Sequence, residues 1–304
     1  MVYEAFLTER FFSEVTSEEA AVSFLWRTKF DGKEFVCPHC GGERHYEISG
    51  RQEVRVCAAC HRHIRLRAGT ILEHSKTKIL VWLRAIYFVM QGKRGISALE
   101  LKRHLGLKSY GTVWAILHKI RNALRQRDET YKLQGSIELD GASFGRRETG
   151  TEQEVLVAVE TKDWIDESGK PKSKAGFAKV VVARETKKNA QDFVNSAVVR
   201  GAMINTDGSP SLRNLTGVDV DYQVVGGNKE VIKSWLPWVH KMISNSKAWV
   251  IGTHHGVGAD YLDAYLAEYF FRFNRRHDVR RLFHRAVRAC LQAQPRTYVA
   301  LFGS

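Results

Sequence analysis

Two close pairs of cysteines constrain this chain more than any other feature of it. Cys37-Pro-His-Cys40 is followed, after sixteen residues, by Cys57-Ala-Ala-Cys60. A Cys-x-x-Cys knuckle points two thiolates at one ion, and two knuckles on adjacent hairpins complete a tetrahedral four-sulfur shell. The segment from His45 to Val56 reads as two short strands around Gly50, which is how zinc ribbons are built. The alternative is two unrelated cysteine pairs. With all four thiolates used, the site is closed and structural, and a Zn2+ ribbon is expected over residues 16–70. The fifth cysteine, Cys290, reads as a buried free thiol. This usage fits a reducing compartment better than a disulfide scaffold.

Charge narrows the class of partner. Lys and Arg number 47 against 33 Asp and Glu, a formal +14 in 304 residues with a pI near 9.6. Such an excess favours a polyanion, because each neutralised phosphate releases condensed counterions. A basic protein kept soluble by its charge is the plainer reading. Next to the thiolates, His39, His61 and His63, with Arg62, Arg65 and Arg67, are expected to face DNA or solvent. The longest apolar-rich run, Ile79 to Met90, is broken by Arg84 and is too short to cross a bilayer. Met1 to Arg10 shows no signal pattern. No membrane association and an intracellular setting are expected.

After a buried-looking helix from Lys78 to Gln91, two further helices follow. Ile96 to Gly106 carries Ser97 as its cap, Glu100 completing a capping box, and Gly106 as its stop. A short turn leads to Ser109, which caps a second helix from Tyr110 to Arg125. There Val113, Ile116, Leu117, Ile120 and Leu124 form one apolar face, and Lys119, Arg121, Arg125 and Arg127 add charge elsewhere. Such a pair can present a recognition helix to the major groove, so a helix-turn-helix region is expected over 76–130. An ordinary helical hairpin has the same pattern.

The next segment alternates strands with a helix. Strands are expected at Ser136–Asp140, Glu154–Val159, Ala178–Ala183 and Gly201–Asp207, with a helix over Ala190–Val199. Asp140 and Asp207 each end an apolar strand and precede Gly. Two such carboxylates can converge and suit divalent cations, which clamp the oxygens of a phosphoryl transfer. Two turn-starting Asp-Gly pairs are the bland alternative. Glu138 shares a strand face with Asp140, as a helper or a buried salt-bridge partner. Pro237 suits the first turn of a helix, on which His240, Ser244 and Lys247 share a face.

In order and spacing these parts resemble the bacterial insertion-sequence transposases with an amino-terminal zinc ribbon and an Asp-Asp-Glu type catalytic domain. The motifs are the two cysteine pairs, Glu138-Leu-Asp140-Gly, Asn205-Thr-Asp207-Gly, the Leu236–Lys247 segment, Gly252–Val257 and Phe271–Arg276. The resemblance implies an α/β chain. A ribonuclease H-like domain over 134–276 follows the zinc ribbon and helix-turn-helix, and a basic tail occupies 277–304. It also implies metal-dependent cutting at terminal inverted repeats and joining to target DNA, by a homo-oligomer in the bacterial cytoplasm, at the nucleoid when bound to DNA.

Asp140 and Asp207 match the first two catalytic acids and would hold Mg2+ or Mn2+. Where many relatives place Glu, this chain aligns His240, as in a branch that uses His, and Lys247 falls at the family's lysine spacing. Imidazole is a soft ligand for magnesium. His240 is therefore expected to bind a metal weakly, to act through water, or to carry a proton. Glu268 is the rival, although it points away from its helix's apolar stripe and is expected in an exposed pair with Arg272. His254 and His255 are expected in a Gly-bounded loop, against DNA or a flipped base. The basic stretch from Asn274 to Arg288 either tracks the DNA backbone or is a solvated face. Other classes stay open: a regulator with an inactive nuclease-like domain, a plain nuclease, or a zinc-stabilised interaction module.

Overall fold

The computed structural model describes residues 11–13, 15–145, 150, 152–224 and 234–297. Met1 to Arg10, read above for a signal pattern, and residues 298–304 of the expected tail lie outside it. The chain divides into two compact units, one of residues 1–127 with 278–304 and one of residues 128–277. No helix among the described residues is long and apolar enough to cross a membrane.

The first unit opens with α1 (Glu18–Lys29), capped by Ser17. A small antiparallel sheet follows, made of β1 (His45–Glu47), β2 (Val54–Cys57) and β3 (His63–Arg65). The first two strands are the expected hairpin, with His45 opposite Cys57; the third, carrying only Ile64 inward, had too few residues to announce itself. Helix α2 (Ile79–Met90) is buried along most of its length. Its N-cap residue, Lys78, supplies no acceptor. Glu18, reaching over from α1, accepts the Ile79 and Leu80 N–H groups at 2.7 and 3.0 Å instead. That carboxylate meets the positive end of the helix dipole.

Helices α3 (Ala98–Leu105) and α4 (Tyr110–Asp128) form as read. Ser97 accepts the Glu100 N–H, Gly106 takes the left-handed conformation (φ 63°) that ends α3, and Ser109 accepts the Thr112 N–H. Leu101, Val113, Leu117 and Ile120 are buried, while Lys108 to Thr112 are exposed. Arg121, read as a charge away from the apolar face, is fully buried. The C-terminal helix α8 (Leu282–Gln292) belongs to this unit as well. Leu282, Ala286, Val287 and Cys290 are buried, and Phe283 packs on Phe11 and Phe24. Its basic residues therefore lie on the outward side of a packed helix, with Arg288 paired to Asp31 at 2.6 Å.

The second unit is built on five strands: β4 (Ser136–Phe144), β5 (Gln153–Ile165), β6 (Pro171–Val182), β7 (Met203–Thr206) and β8 (Asp219–Tyr222). Their order is β6-β5-β4-β7-β8; the first three run antiparallel, and β7 and β8 run parallel to β4 and to each other. That order and those directions are those of a ribonuclease H-like sheet. Helix α5 (Lys187–Ala197) crosses from β6 to β7 on one face. Helices α6 (Pro237–His254) and α7 (Leu262–Asn274) cover the other.

The pleat sorts the strands between two cores. Val155, Val157 and Val159 pack toward α6 and α7, and Leu156 and Ala158 toward α5. On β4, Ile137 and Leu139 join the α5 side. Glu138 and Asp140, one residue out of phase, therefore share the α6 side.

Glu138 is buried and, among the described residues, paired with no cation. Its Oε2 accepts the N–H groups of Trp238 and Val239, both at 2.7 Å, and Thr161 donates to its Oε1. Leu236, the N-cap residue of α6, offers no side-chain acceptor. Glu138 thus caps α6 from the sheet. Charge-assisted bonds of this kind are each worth about 1.5–3 kcal/mol. Glu138→Ala is expected to leave two buried donors without their acceptor and to lower stability by about 3 kcal/mol, read as an earlier urea midpoint at unchanged slope.

Candidate active site and zinc centre

The four cysteines come together as their spacing demands. Cys37 Sγ lies 3.6 Å from Cys60 Sγ and Cys40 Sγ lies 3.5 Å from Cys57 Sγ, and all four lie within 4.8 Å of one another. A tetrahedron of sulfurs about 2.3 Å from zinc has edges of about 3.8 Å, so the cluster fits one structural Zn2+. The knuckles are closed by their own backbone, Gly41 donating to Cys37 O and His61 to Cys57 O. The N–H groups of Cys60 and Ala59 pull the Cys57 thiol below its usual range, while at Cys40 the neighbouring thiols outweigh the Gly42 N–H and push it up, so the four sulfurs share their protons as one cluster, which a metal would displace. His39 and His63 are exposed, with Arg62 Nη1 2.8 Å from His39 Nδ1. Arg67 departs from the expectation of a free cation. It forks onto Glu53 at 2.5 and 2.7 Å and donates to the carbonyls of Ser75 and Thr77, so it ties the ribbon to the chain that follows.

Backbone register brings the two aspartates together. β4 and β7 are parallel neighbours with Glu138 opposite Asn205, so two residues further on Asp140 and Asp207 come level. Asp207 follows the last residue of β7, but β4 does not end at Asp140 as the sequence suggested: it stays paired with β5 as far as Phe144. The C-terminal end of a parallel strand, where β7 stops before Asp207, is where α/β sheets bind ligands. Asp140 is held by its own Gly141 N–H at 2.8 Å, and Asp207 Oδ1 accepts the Ser209 N–H at 2.9 Å. Burial, first, and then the facing Asp207 and Glu185 push the Asp140 carboxyl up to about 7, against the pull of Lys247.

Helix α6 supplies the other side. His240 Nδ1 stands 3.4 Å from Asp140 Oδ2. Its Nε2 is buried and hydrogen-bonded to nothing among the described residues. Burial lowers its pKa, and Asp207 opposes that shift, so the imidazole is mainly neutral and free to act as a ligand or proton acceptor. Lys247, two turns along the same face, is half-buried, with its Nζ 5.6 Å from the Phe144 ring centre.

A third carboxylate was not singled out from the sequence. Glu185, between β6 and α5, accepts hydrogen bonds from the hydroxyls of Ser209 and Ser211 and so grips the loop after Asp207. It crowds Gly141 so closely that a Cβ there would lie 2.0 Å from Glu185 Oε2. The signal was available, since Glu185 also follows an apolar strand end. In kind the set suits a divalent ion: mutually repelling carboxylates and an imidazole nitrogen with no partner. Asp140, Asp207 and His240 do not, as a trio, meet the closeness of the thiolates; among the described residues the four cysteines are the one group within 4.8 Å.

Two expectations are corrected. Glu268 is not in an exposed ion pair: it is fully buried, 3.7 Å from a buried Arg272, whose guanidinium lies over Trp249. His254 and His255 are not in a loop. The helix runs through His254, whose ring sits edge-on between Trp249 and Tyr265, and His255 is its left-handed C-cap.

Two outcomes follow. Stripping zinc with a strong chelator is expected to expose the amides of β1–β3 to hydrogen exchange while those of β4–β7 stay protected. Because the folded pKa of Asp140 is raised, the stability it contributes is fully present below about pH 4. That contribution is lost as pH rises through about 7. Without added magnesium or manganese, wild type is expected to lose stability relative to Asp140→Asn across that window, measured by urea unfolding at each pH.

Comparison with known families agrees with this layout. Residues 128–274 match the ISXO2-like transposase domain, and residues 16–63 match the transposase zinc-ribbon domain. No curated protein and no solved structure matches the chain. The two family matches cover most of the sequence and follow one another in the order of the two metal-suited sites, and the chain belongs to the insertion-sequence transposases with an amino-terminal zinc ribbon.

Proposed function

We propose that the protein binds the terminal inverted repeats of its element, cuts DNA at their ends and joins those ends to target DNA, with Asp140, Asp207 and His240 as the reacting set and Lys247 beside them. One observation carries the reading: the two aspartates level on neighbouring parallel strands, with His240 3.4 Å from the first. Mg2+ or Mn2+ bound by these residues would supply charge neutralisation at the attacking and leaving oxygens of the phosphodiester. Asp140 and Asp207 would hold the ion through hard oxygens. His240, neutral and with its Nε2 uncommitted, would take a weak ligand position or the proton of the attacking hydroxyl. Lys247 would meet a DNA phosphate. Glu268, already bound to Arg272, is the poorer third member.

Holding DNA falls to the first unit in this reading. Its zinc ribbon and the exposed Lys108–Thr112 start of α4 offer polar and cationic groups at a helix end suited to phosphate and base edges. Two element ends must be handled in one event, which favours a homo-oligomer as the active form. The setting is the bacterial cytoplasm, at the nucleoid when bound.

A labelled duplex carrying an inverted repeat from the gene's flanks tests this. Asp140→Asn, Asp207→Asn and His240→Ala are expected to bind it within about twofold of wild type and to lose cleavage by at least about 100-fold. Full cleavage by His240→Ala in magnesium would remove His240 from the set. Binding without cleavage by wild type would make the chain a regulator, and cleavage without joining a plain nuclease.

A further inference from the structure

The β5–β6 hairpin outgrows its sheet. β4 pairs with β5 only as far as Thr161, yet Lys162–Ile165 continues to pair with Pro171–Lys174 as a two-stranded ribbon. All eight of these residues are exposed. Lys162 stands opposite Lys174, and Trp164 opposite Lys172. Alternation therefore puts all four side chains on one face. The Lys174 Nζ lies 5.4 Å from the centre of the Trp164 ring, across the diagonal of that face. The other face carries Asp163 and Ser173 and lies toward α6, where Trp238 Nε1 donates to Ser173 Oγ at 3.0 Å.

The base of the ribbon is anchored and cationic. Arg276 donates to the carbonyls of Ala175 and Gly176. Beside it His277 has its pKa lowered, first by burial and then by Arg276, Lys174 and Lys162, which places these charges on one stretch of surface. Lys172 is paired with Asp166 Oδ2 at 3.8 Å, and the Glu160 carboxylate, which accepts the Gln134 and Phe177 N–H groups, lies near Lys162 at the base of the ribbon. Asp166 Oδ1 is already engaged by the Ser168 N–H and hydroxyl and by the Lys170 N–H, holding the turn. Like charges directly opposite on a ribbon are unfavourable by themselves. Lysines also guard sheet edges against aggregation, but that role does not call for a tryptophan left 45% exposed between them.

We propose that this face is a contact for duplex DNA, with Lys162, Lys172 and Lys174 taking backbone phosphates and Trp164 packing on the sugar edge. It rests on the transposase reading and adds where the duplex runs. Asp140 pairs with Val157, five residues before Lys162 on β5. At about 3.3 Å per residue the face lies about 17 Å from the candidate site along the strand, or about five base pairs of flanking duplex.

The test compares full-length wild type with a Lys162→Gln, Lys172→Gln, Lys174→Gln triple variant, its Lys→Arg counterpart, and Trp164→Ala. The probe is the same flanking inverted-repeat duplex, titrated across a salt series. Loss of three phosphate contacts is expected to lower the slope of log K against log salt by about 2.7. The Arg triple is expected to restore it, with equal zinc content showing that folding is intact. Trp164→Ala is expected to weaken binding several-fold at unchanged slope. An unchanged slope in the Gln triple, with wild type binding and cutting normally, would overturn this surface alone. Dissociation of oligomers in the Gln triple, at unchanged slope, would also overturn it by making the face a contact between chains. Failure of wild type to bind the duplex would remove the transposase reading and this surface together.

Discussion

The carboxylate of Glu138 is the point on which the second unit turns. It leaves β4 on the side of the sheet that faces α6, and there it accepts two backbone N–H groups from the first turn of that helix. Leu236 cannot cap the helix itself. A buried carboxylate is expensive unless its hydrogen bonds are complete, and here they join a strand to a helix a hundred residues further on. The consequence is positional. With the start of α6 fixed beside Glu138, His240 falls one turn later beside Asp140, and Lys247 two turns beyond that. The first unit uses the same device, since Glu18 caps α2 where Lys78 cannot.

The carboxylates around Asp140 show the opposite balance. Among the described residues Asp140 pairs directly with no cation, the imidazole at 3.4 Å being mainly neutral, and burial and its acidic neighbours hold its proton on to about 7. The arrangement costs stability. It is tolerated because Gly141 leaves room for Glu185, and because Glu185 and the Ser209 N–H fix the loop that carries Asp207. A divalent ion would convert this repulsion into ligation, which is why perturbed carboxylates concentrate at functional sites. The zinc centre differs in kind, with four ligands already gathered by two knuckles and their own backbone.

Much of this was legible in the chain itself. The cysteine spacing specifies its cluster because each knuckle is local. Ser97, Gly106 and Ser109 mark the ends of α3 and α4 because caps act within a few residues. The strands read at 136–140, 154–159, 178–183 and 201–207 all form, and Asp207 does follow a strand end, whereas β4 runs four residues past Asp140. What could not be read were contacts between residues distant along the chain. The sequence offered Glu138 as a helper or a salt-bridge partner, and it is a helix cap. It offered Glu268 as an exposed acid, and it is buried. Arg121 was read as a charge away from the apolar face of its helix and Arg67 as facing DNA or solvent, yet one is buried and the other is forked onto Glu53.

The sequence by itself determined the zinc cluster, the helix pair and the presence of acids on two apolar strands, because thiolate knuckles, caps and alternation depend on neighbours a few residues away. The tertiary structure alone decided that Asp140 and Asp207 come level, that Glu185 joins them and that His240, which the sequence had already aligned with the third catalytic position, stands against Asp140. Those facts depend on strand order, on parallel register and on a capping bond across a hundred residues, none of which leaves a local trace in the chain.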